Sequence, residues 1–191
     1  MTEDRFTAFA KALQKAEQQI NLKRMERTTE VHAFLNAGLR PYTQAVFMAT
    51  TLAVFAAERS GVSEVAPVHL LFGLLMPPNS IAVRLFEARG VSVHELRHEL
   101  QITMGYRGRD WKQESNQESG IYMRASAETA ILLPAAQALR SRMASPLLHT
   151  GHLLLAVLQL DATPETQSVW MAMRAGQLPE WEDVNGMEDE E

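Results

Sequence analysis

Apolar residues recur three and four positions apart along most of the chain, the rhythm of amphipathic helices, and no stretch alternates as a strand would. Phe6, Phe9, Ala10, Leu13, Ala16 and Ile20 form one stripe, which predicts an N-terminal helix continuing through Met25 towards Leu35, with a break admitted in the polar stretch 21–29 and an end near Gly38 and Pro41. Thr43 is a good N-cap for a second helix carrying Val46, Phe47, Leu52, Val54 and Phe55 to Gly61. A third begins near Pro67, a favoured first-turn residue, and runs through Leu70, Leu71, Leu74 and Leu75 until Pro77 and Pro78 stop it. Residues 80–89 read as a fourth helix ended by Gly90, and Ser92 caps a fifth through Leu96 and Leu100. The stretch 105–123, rich in Gly, Ser, Asn and charge, carries no stripe and predicts a connector. Beyond it Ser126 caps a helix through Ile131, Leu132, Ala135 and Leu139, Ser145-Pro146 turns the chain, and 152–158 forms a short, very apolar helix. A last helix is expected over 165–175, stopped at Gly176.

The order of elements after the connector repeats the order before it. An offset of 83 residues places Ser126 on Thr43, Leu132 on Ala49, Ala136 on Ala53 and Arg142 on Arg59. It also superposes His152-Leu153-Leu154 on His69-Leu70-Leu71 and Val157-Leu158 on Leu74-Leu75, with 26 residues from cap to histidine in both halves. A cap, a spacing and an apolar pattern preserved together indicate an internal repeat. Downstream, Gly176 matches Gly90 only with three extra residues.

Composition narrows the class. At 191 residues, 46% hydrophobic and 21% charged, the chain is neither disordered throughout nor collagen-like. It has no cysteine, hence no disulfide, thiolate nucleophile or Cys-based zinc site, and no apolar run of bilayer-spanning length. The first twenty residues carry Asp4, Lys11, Lys15 and Glu17 and do not read as a signal peptide, so a cytoplasmic protein is expected. The net charge of −5 is unevenly placed: residues 180–191 hold seven acidic groups and no Lys or Arg, leaving 18 basic and 16 acidic groups over 1–179. A near-neutral body thus ends in an anionic tail, expected to be solvated, and its expected role is to cover a groove or repel competitors. The body lacks the clustered basic face of a nucleic-acid binder.

Each half of the repeat resembles one motif of the Clp ATPase amino-terminal domain, the double four-helix repeat at the front of ClpA, ClpC and ClpB proteins. The residues that carry the likeness are Thr43…Ala49…Ala53…Ala57…His69-Leu70-Leu71-Phe72-Gly73-Leu74-Leu75, then Ala82 to Val91, and in the second half Ser126 with His152-Leu153-Leu154-Leu155-Ala156-Val157-Leu158. The likeness covers roughly 41–180. It implies an all-α fold: a pseudo-twofold bundle of two four-helix repeats (41–104 and 124–181, joined by the connector 105–123), preceded by an N-terminal helical extension over 1–40 and followed by an acidic disordered tail over 182–191. It also implies a non-enzymatic protein-binding module without cofactor, an accessory or adaptor that binds substrate proteins or Clp chaperone-protease components and modulates degradation or remodelling. No G-x-x-x-x-G-K-[ST] occurs in these 191 residues, so the phosphate cradle of the ATPase motor is not among them, and the resemblance implies that the chain would correspond to the substrate-receiving part. The family-equivalent partner-binding positions are Thr43, Val68, Ser126 and Gly151. In ClpC-type domains a glutamate precedes the motif histidine and helps bind phosphorylated arginine. Val68 and Gly151 stand there in this chain, without the carboxylate that engages a guanidinium bidentately. The extension is expected to pack on the body or to serve as a docking or dimerising helix.

Two further constellations compete with that reading. His94-Glu95-Leu96-Arg97-His98 matches HExxH, which on a helix places two zinc ligands on one face with a glutamate as general base, and it supports an alternative as a zinc-dependent hydrolase. Against it, Val93, Leu96 and Leu100 already form the apolar stripe and turn the motif residues to solvent, and no third ligand follows at a suitable place. His69 and His152 occupy equivalent positions beside leucine pairs, where a neutral imidazole is expected to bond a local cap group rather than a ligand. Tyr106, Arg107, Arg109, Trp111 and Lys112 form a basic-aromatic cluster in the connector, able in principle to stack a nucleotide or peptide but expected on the body surface.

Overall fold

The helix starts follow directly from short hydroxyl side chains. In the computed structural model, which describes residues 35, 37–105, 124–159, 181–184 and 187, four helices open on a Ser or Thr whose oxygen accepts the backbone N–H three residues on. These are Thr43 for α1 (Gln44–Arg59), Ser80 for α3 (Ile81–Ala88), Ser92 for α4 (Val93–Thr103) and Ser126 for α5 (Ala127–Arg142), with N···O distances of 3.2–3.4 Å. Each cap satisfies one of the orphan donors of the first turn and contributes ~1 kcal/mol. Further helices are α2 (Pro67–Leu74), α6 (Thr150–Leu158) and the single turn α7 (Trp181–Val184), and residues 35 and 37–39 ahead of α1 are also helical. The helical class is as the periodicity requires. No helix among the described residues is long and apolar enough to cross a membrane.

Three corrections follow. The second apolar helix opens at Thr150 rather than at His152, because His149 takes extended backbone angles and acts as N-cap. Two short strands exist where none was read: β1 (Glu64–Val65) pairs in parallel with β2 (Arg124–Ala125), and Tyr42 bridges Leu148 in the same sense. A two-residue strand is too brief to show alternation. The chain after 181 is not wholly solvated, since Val184 is 0% exposed and Met187 packs against the core. The helix expected from Ser126 through Leu139 is present as α5 and tolerates Pro134 in its interior, at the loss of one backbone hydrogen bond. The helices expected over 6–20 and 165–175, and the connector interior, lie outside the described residues.

The two β pairings are related by the same 83-residue offset that relates the helices: Tyr42 corresponds to Ala125, and Val65 to Leu148. Each half therefore lends the residue before its cap to the segment before the other half's histidine helix. The matching hydrogen bonds run from the Thr43 N–H to the Leu148 carbonyl (2.9 Å) and from the Ser126 N–H to the Val65 carbonyl (3.1 Å). The Thr129 hydroxyl adds a donor to Val65 at 2.6 Å. These exchanges hold the halves together around one apolar core. Its contents include Leu70, Leu71, Leu74 and Leu75 of the first half and Leu153, Leu154, Leu155 and Val157 of the second. Leu35 and Leu39 join it from the N-terminal side.

Outer ties fix the periphery. Arg97 on α4 reaches the Leu75 carbonyl with both Nε (2.8 Å) and a terminal nitrogen, closing the C-terminal end of α2 with a cation where the helix dipole is negative. The Thr150 hydroxyl accepts the Ala82 N–H at 3.3 Å and joins α6 to the start of α3. Arg89, the C-cap of α3, bonds the Leu85 carbonyl at 3.1 Å and forms an ion pair with Asp183 of α7. Burial of Val184 beside that pair contributes ~1.5–3 kcal/mol, more than the partly exposed ion pair, which contributes ~1 kcal/mol or less.

Candidate functional site

The exchanged pairings decide which candidate residues meet. Thr43 follows Tyr42, which pairs with Leu148 just ahead of α6, so Thr43 is placed at the end of α6 that carries Gly151. Ser126 follows Ala125, which pairs with Val65 just ahead of α2, so Ser126 is placed at the end of α2 that carries Val68. Two seams result, each built from a cap of one half and a helix start of the other. This pairing across halves was invisible in the sequence, which gives the four positions but not the strand register that joins them.

Neither seam presents a charged group at these four positions. Ser126 is buried and committed: its oxygen accepts the Thr129 N–H at 3.2 Å and its hydroxyl donates to Thr129 Oγ1 at 3.2 Å. Thr43 is half-buried and accepts from Val46 at 3.4 Å. Val68 is 9% exposed. Gly151 is fully covered, and a Cβ there would lie 2.6 Å from Val184 Cγ1 and 2.8 Å from Ile81 Cγ2. The second seam is therefore closed by the C-terminal segment.

The two motif histidines act on their own helix starts. His69 Nδ1 accepts the Ala66 N–H at 2.9 Å, and His152 Nδ1 accepts the His149 N–H at 3.2 Å. An imidazole at the third helical position thus replaces the usual hydroxyl cap at both α2 and α6. Burial holds His69 at a pKa of about 4, well below the ordinary imidazole value, because the charged form loses its solvation. The nitrogen that takes the Ala66 N–H must stay unprotonated to accept it. In the second half a further imidazole, His149, stands where the first has Ala66, and its ring lies 3.5 Å from that of His152, tilted by 32°.

The HExxH residues His94, Glu95 and His98 are all exposed on α4. A catalytic zinc needs three protein ligands, and among the described residues no group of three His, Cys, Asp or Glu side chains stands close enough to hold a metal ion. The connector cluster Tyr106–Lys112 lies outside the described residues.

Phe47, Phe55 and Ile131, read from the sequence as part of the apolar stripes of α1 and α5, are instead exposed. Phe47 (38% exposed), Met48 and Phe55 (46%) project from α1, and Ile131 (61%), the counterpart of Met48 at the 83-residue offset, projects from α5. Phe47 and Phe55 lie two turns apart on one face. The signal was present: α1 buries an alanine-rich face comprising Ala45, Ala49, Ala53, Ala56 and Ala57 beside Val46, Thr50 and Val54, so its largest apolar residues were left over for the other side.

Comparison with known proteins agrees with this architecture. The family model for the Clp repeat (R) N-terminal domain matches residues 41–168. Over 117 residues the chain is 32% identical to the chaperone protein ClpB of Mycobacterium leprae (strain TN), a match that covers 60% of this chain and 13% of that protein. The chain thus spans a small part of the relative's length. Among solved structures, the Hsp104 N-terminal domain from Candida albicans superposes with a TM-score of 0.52 at 14% identity, covering 75% of this chain and 86% of that one. A structure from a study of a malarial protein secretion system gives 0.53 at 18% identity, covering 70% and 90%. At these identities the likeness is one of fold.

Proposed function

Because the chain belongs to the Clp repeat N-terminal domain family, we propose that it is a non-enzymatic protein-binding module that receives substrate proteins or Clp chaperone-protease components and modulates their degradation or remodelling. The observation that carries this reading is the exposed apolar set Phe47, Met48, Phe55 and Ile131 on α1 and α5. Large aromatic and aliphatic groups held in place by rigid helices suit the transient binding of extended, partly unfolded segments. The near-neutral body neither repels nor selects such clients by charge. Recognition of phosphorylated arginine through carboxylates at Val68 and Gly151 is no part of this reading, since neither position supplies one.

The test is binding of a permanently unfolded client, reduced and carboxymethylated lactalbumin, followed by fluorescence anisotropy. Phe47→Ser with Phe55→Ser should weaken binding by about tenfold, the loss of roughly 1.4 kcal/mol of contact, while the melting temperature stays within a few degrees. Undiminished binding by that double variant overturns the assignment of this surface. Crosslinking in lysate that captures no Clp subunit, adaptor or unfolded client counts against the module reading as a whole.

A further inference from the structure

The two halves differ in how they fill one position. In the first half Val68, the second residue of α2, supplies its own aliphatic side chain at the seam. In the second half the equivalent residue is Gly151, which supplies none, and the space is filled from elsewhere: Val184 of α7 comes so close that a Cβ on Gly151 would lie 2.6 Å from its Cγ1. Ile81 and His149 form the other walls, 2.8 and 3.1 Å from that same Cβ position. The valine missing from the repeat is restored by the C-terminal segment, where it is 0% exposed. The residue before it, Asp183, forms an ion pair with Arg89 at the end of α3. Two adjacent residues thus engage a built receptor: an aliphatic side chain in a glycine-floored socket, and a carboxylate on a cation.

We propose that the Gly151 socket and Arg89 form a docking site for a short acidic–aliphatic segment, occupied in cis by Asp183 and Val184, so that the C-terminal segment shields the second half until a partner segment of the same chemistry replaces it. The segment is suited to release. It contributes one turn of helix to the described structure, its polar contact is a partly exposed charge pair, and it is drawn from a stretch with seven acidic groups whose mutual repulsion opposes close packing. A partner presenting Asp or Glu just before Val, Ile or Leu satisfies both halves of the site. The purpose assigned to the site rests on the binding-module reading; its existence does not.

The experiment uses the full chain and a fluorescent peptide of residues 180–191. In the wild-type chain the socket is filled, so added peptide competes with the tethered copy. In full-length Val184→Asp the socket is vacated, and the peptide should bind at least about tenfold more tightly, since apparent affinity scales with the fraction of open sites. Arg89→Glu should reject the native peptide and accept one carrying Asp183→Lys. This second variant leaves the core untouched and keeps the question decidable if Val184→Asp loses its helical circular dichroism. Gly151→Ala should expel the segment, seen as faster hydrogen exchange at 181–184, yet gain no peptide binding because its socket is plugged. Equal peptide binding by wild type and a folded Val184→Asp, or indifference of Arg89→Glu to the peptide's charge, overturns the proposal. Self-association of the wild type in sedimentation that Val184→Asp abolishes would place the segment on a second copy and overturn the cis assignment. None of these readouts involves an unfolded client or the Phe47–Phe55 face, so failure here and failure of the binding-module reading are separate results.

Discussion

The contact of α1 with α2 and that of α5 with α6 occupy corresponding places in the two halves and are built on different principles. In the first, Gly73 brings the helices so near that a Cβ there would lie 2.1 Å from the Ala49 carbonyl oxygen and 3.0 Å from the Ala53 nitrogen. Backbone packs on backbone, and α1 answers with a face of alanines. In the second, the corresponding residues are Ala156 and Leu132, a larger pair that does not admit the same approach of backbone to backbone, and Pro134 interrupts the hydrogen-bond ladder of α5. A repeated apolar pattern therefore does not impose repeated packing. It fixes which faces turn inward and leaves the depth of approach to one or two small residues.

Exchanging those residues breaks the comparison most sharply. Gly73→Ala meets a carbonyl oxygen that cannot rotate away, so α1 and α2 must separate along their length. The cost should be about 3 kcal/mol, the upper end for overpacking, and denaturant melts will show it as a lowered midpoint. The reverse change, Ala156→Gly, creates no clash and removes one methyl from a helix interior, for a loss of about 1–2 kcal/mol. Equal effects at the two positions would mean that the helix pairs pack alike after all.

Acid tests the imidazole cap of the first half. The folded-state pKa of His69, about 4, lies below the unfolded value near 6.5, so the unfolded chain binds more protons between these limits. Its contribution is present above pH 6.5 and is lost as the pH falls towards 4, about 2 kcal/mol of it between pH 7 and pH 5. His69→Gln should flatten stability against pH across that window by this amount. His152→Gln, measured in parallel, changes a stacked pair of imidazoles rather than a lone one, since His149 lies against it where the first half has Ala66. A His69→Gln profile as steep as the wild type's would show that the buried imidazole does not control the acid limb.

Much of this was legible from residue types. Thr43, Ser80, Ser92 and Ser126 were readable as caps because a hydroxyl ahead of an apolar run has one efficient use, and each of them accepts the backbone N–H three residues on. The four site positions were nameable from the repeat, but their pairing across halves was not, because it depends on two-residue strands whose register no local pattern encodes. His149 escaped as the start of α6, since histidine is a poor cap by propensity and is made one here by His152 three residues on. Val184 escaped for a different reason. Within seven acidic residues a single valine reads as noise, and only the hollow at Gly151, on a distant helix, gives it a place.

The smallest predicted difference comes from a place where the halves agree in backbone and disagree in residue. The loop after α1 turns through Gly61 at φ +71°, and the loop after α5 turns through Ala144, its counterpart at the 83-residue offset, at φ +52°. Both follow their helix's C-cap, Ser60 and Met143, at the left-handed position that ends many helices. Glycine enters this region freely, whereas alanine brings its Cβ against the backbone at a cost of about 1–2 kcal/mol. Gly61 is exposed with nothing near its missing Cβ, so Gly61→Ala isolates that cost and should lower stability by about 1 kcal/mol. Ala144→Gly should raise it by a similar or slightly smaller amount, because the relief of strain is partly offset by the greater freedom glycine gives the unfolded chain. The two changes should nearly cancel in the double variant, as the sites lie in different halves and share no partner. If Ala144→Gly destabilises instead, the turn after α5 is held by contacts of the alanine methyl group and not by the conformation that the two loops share.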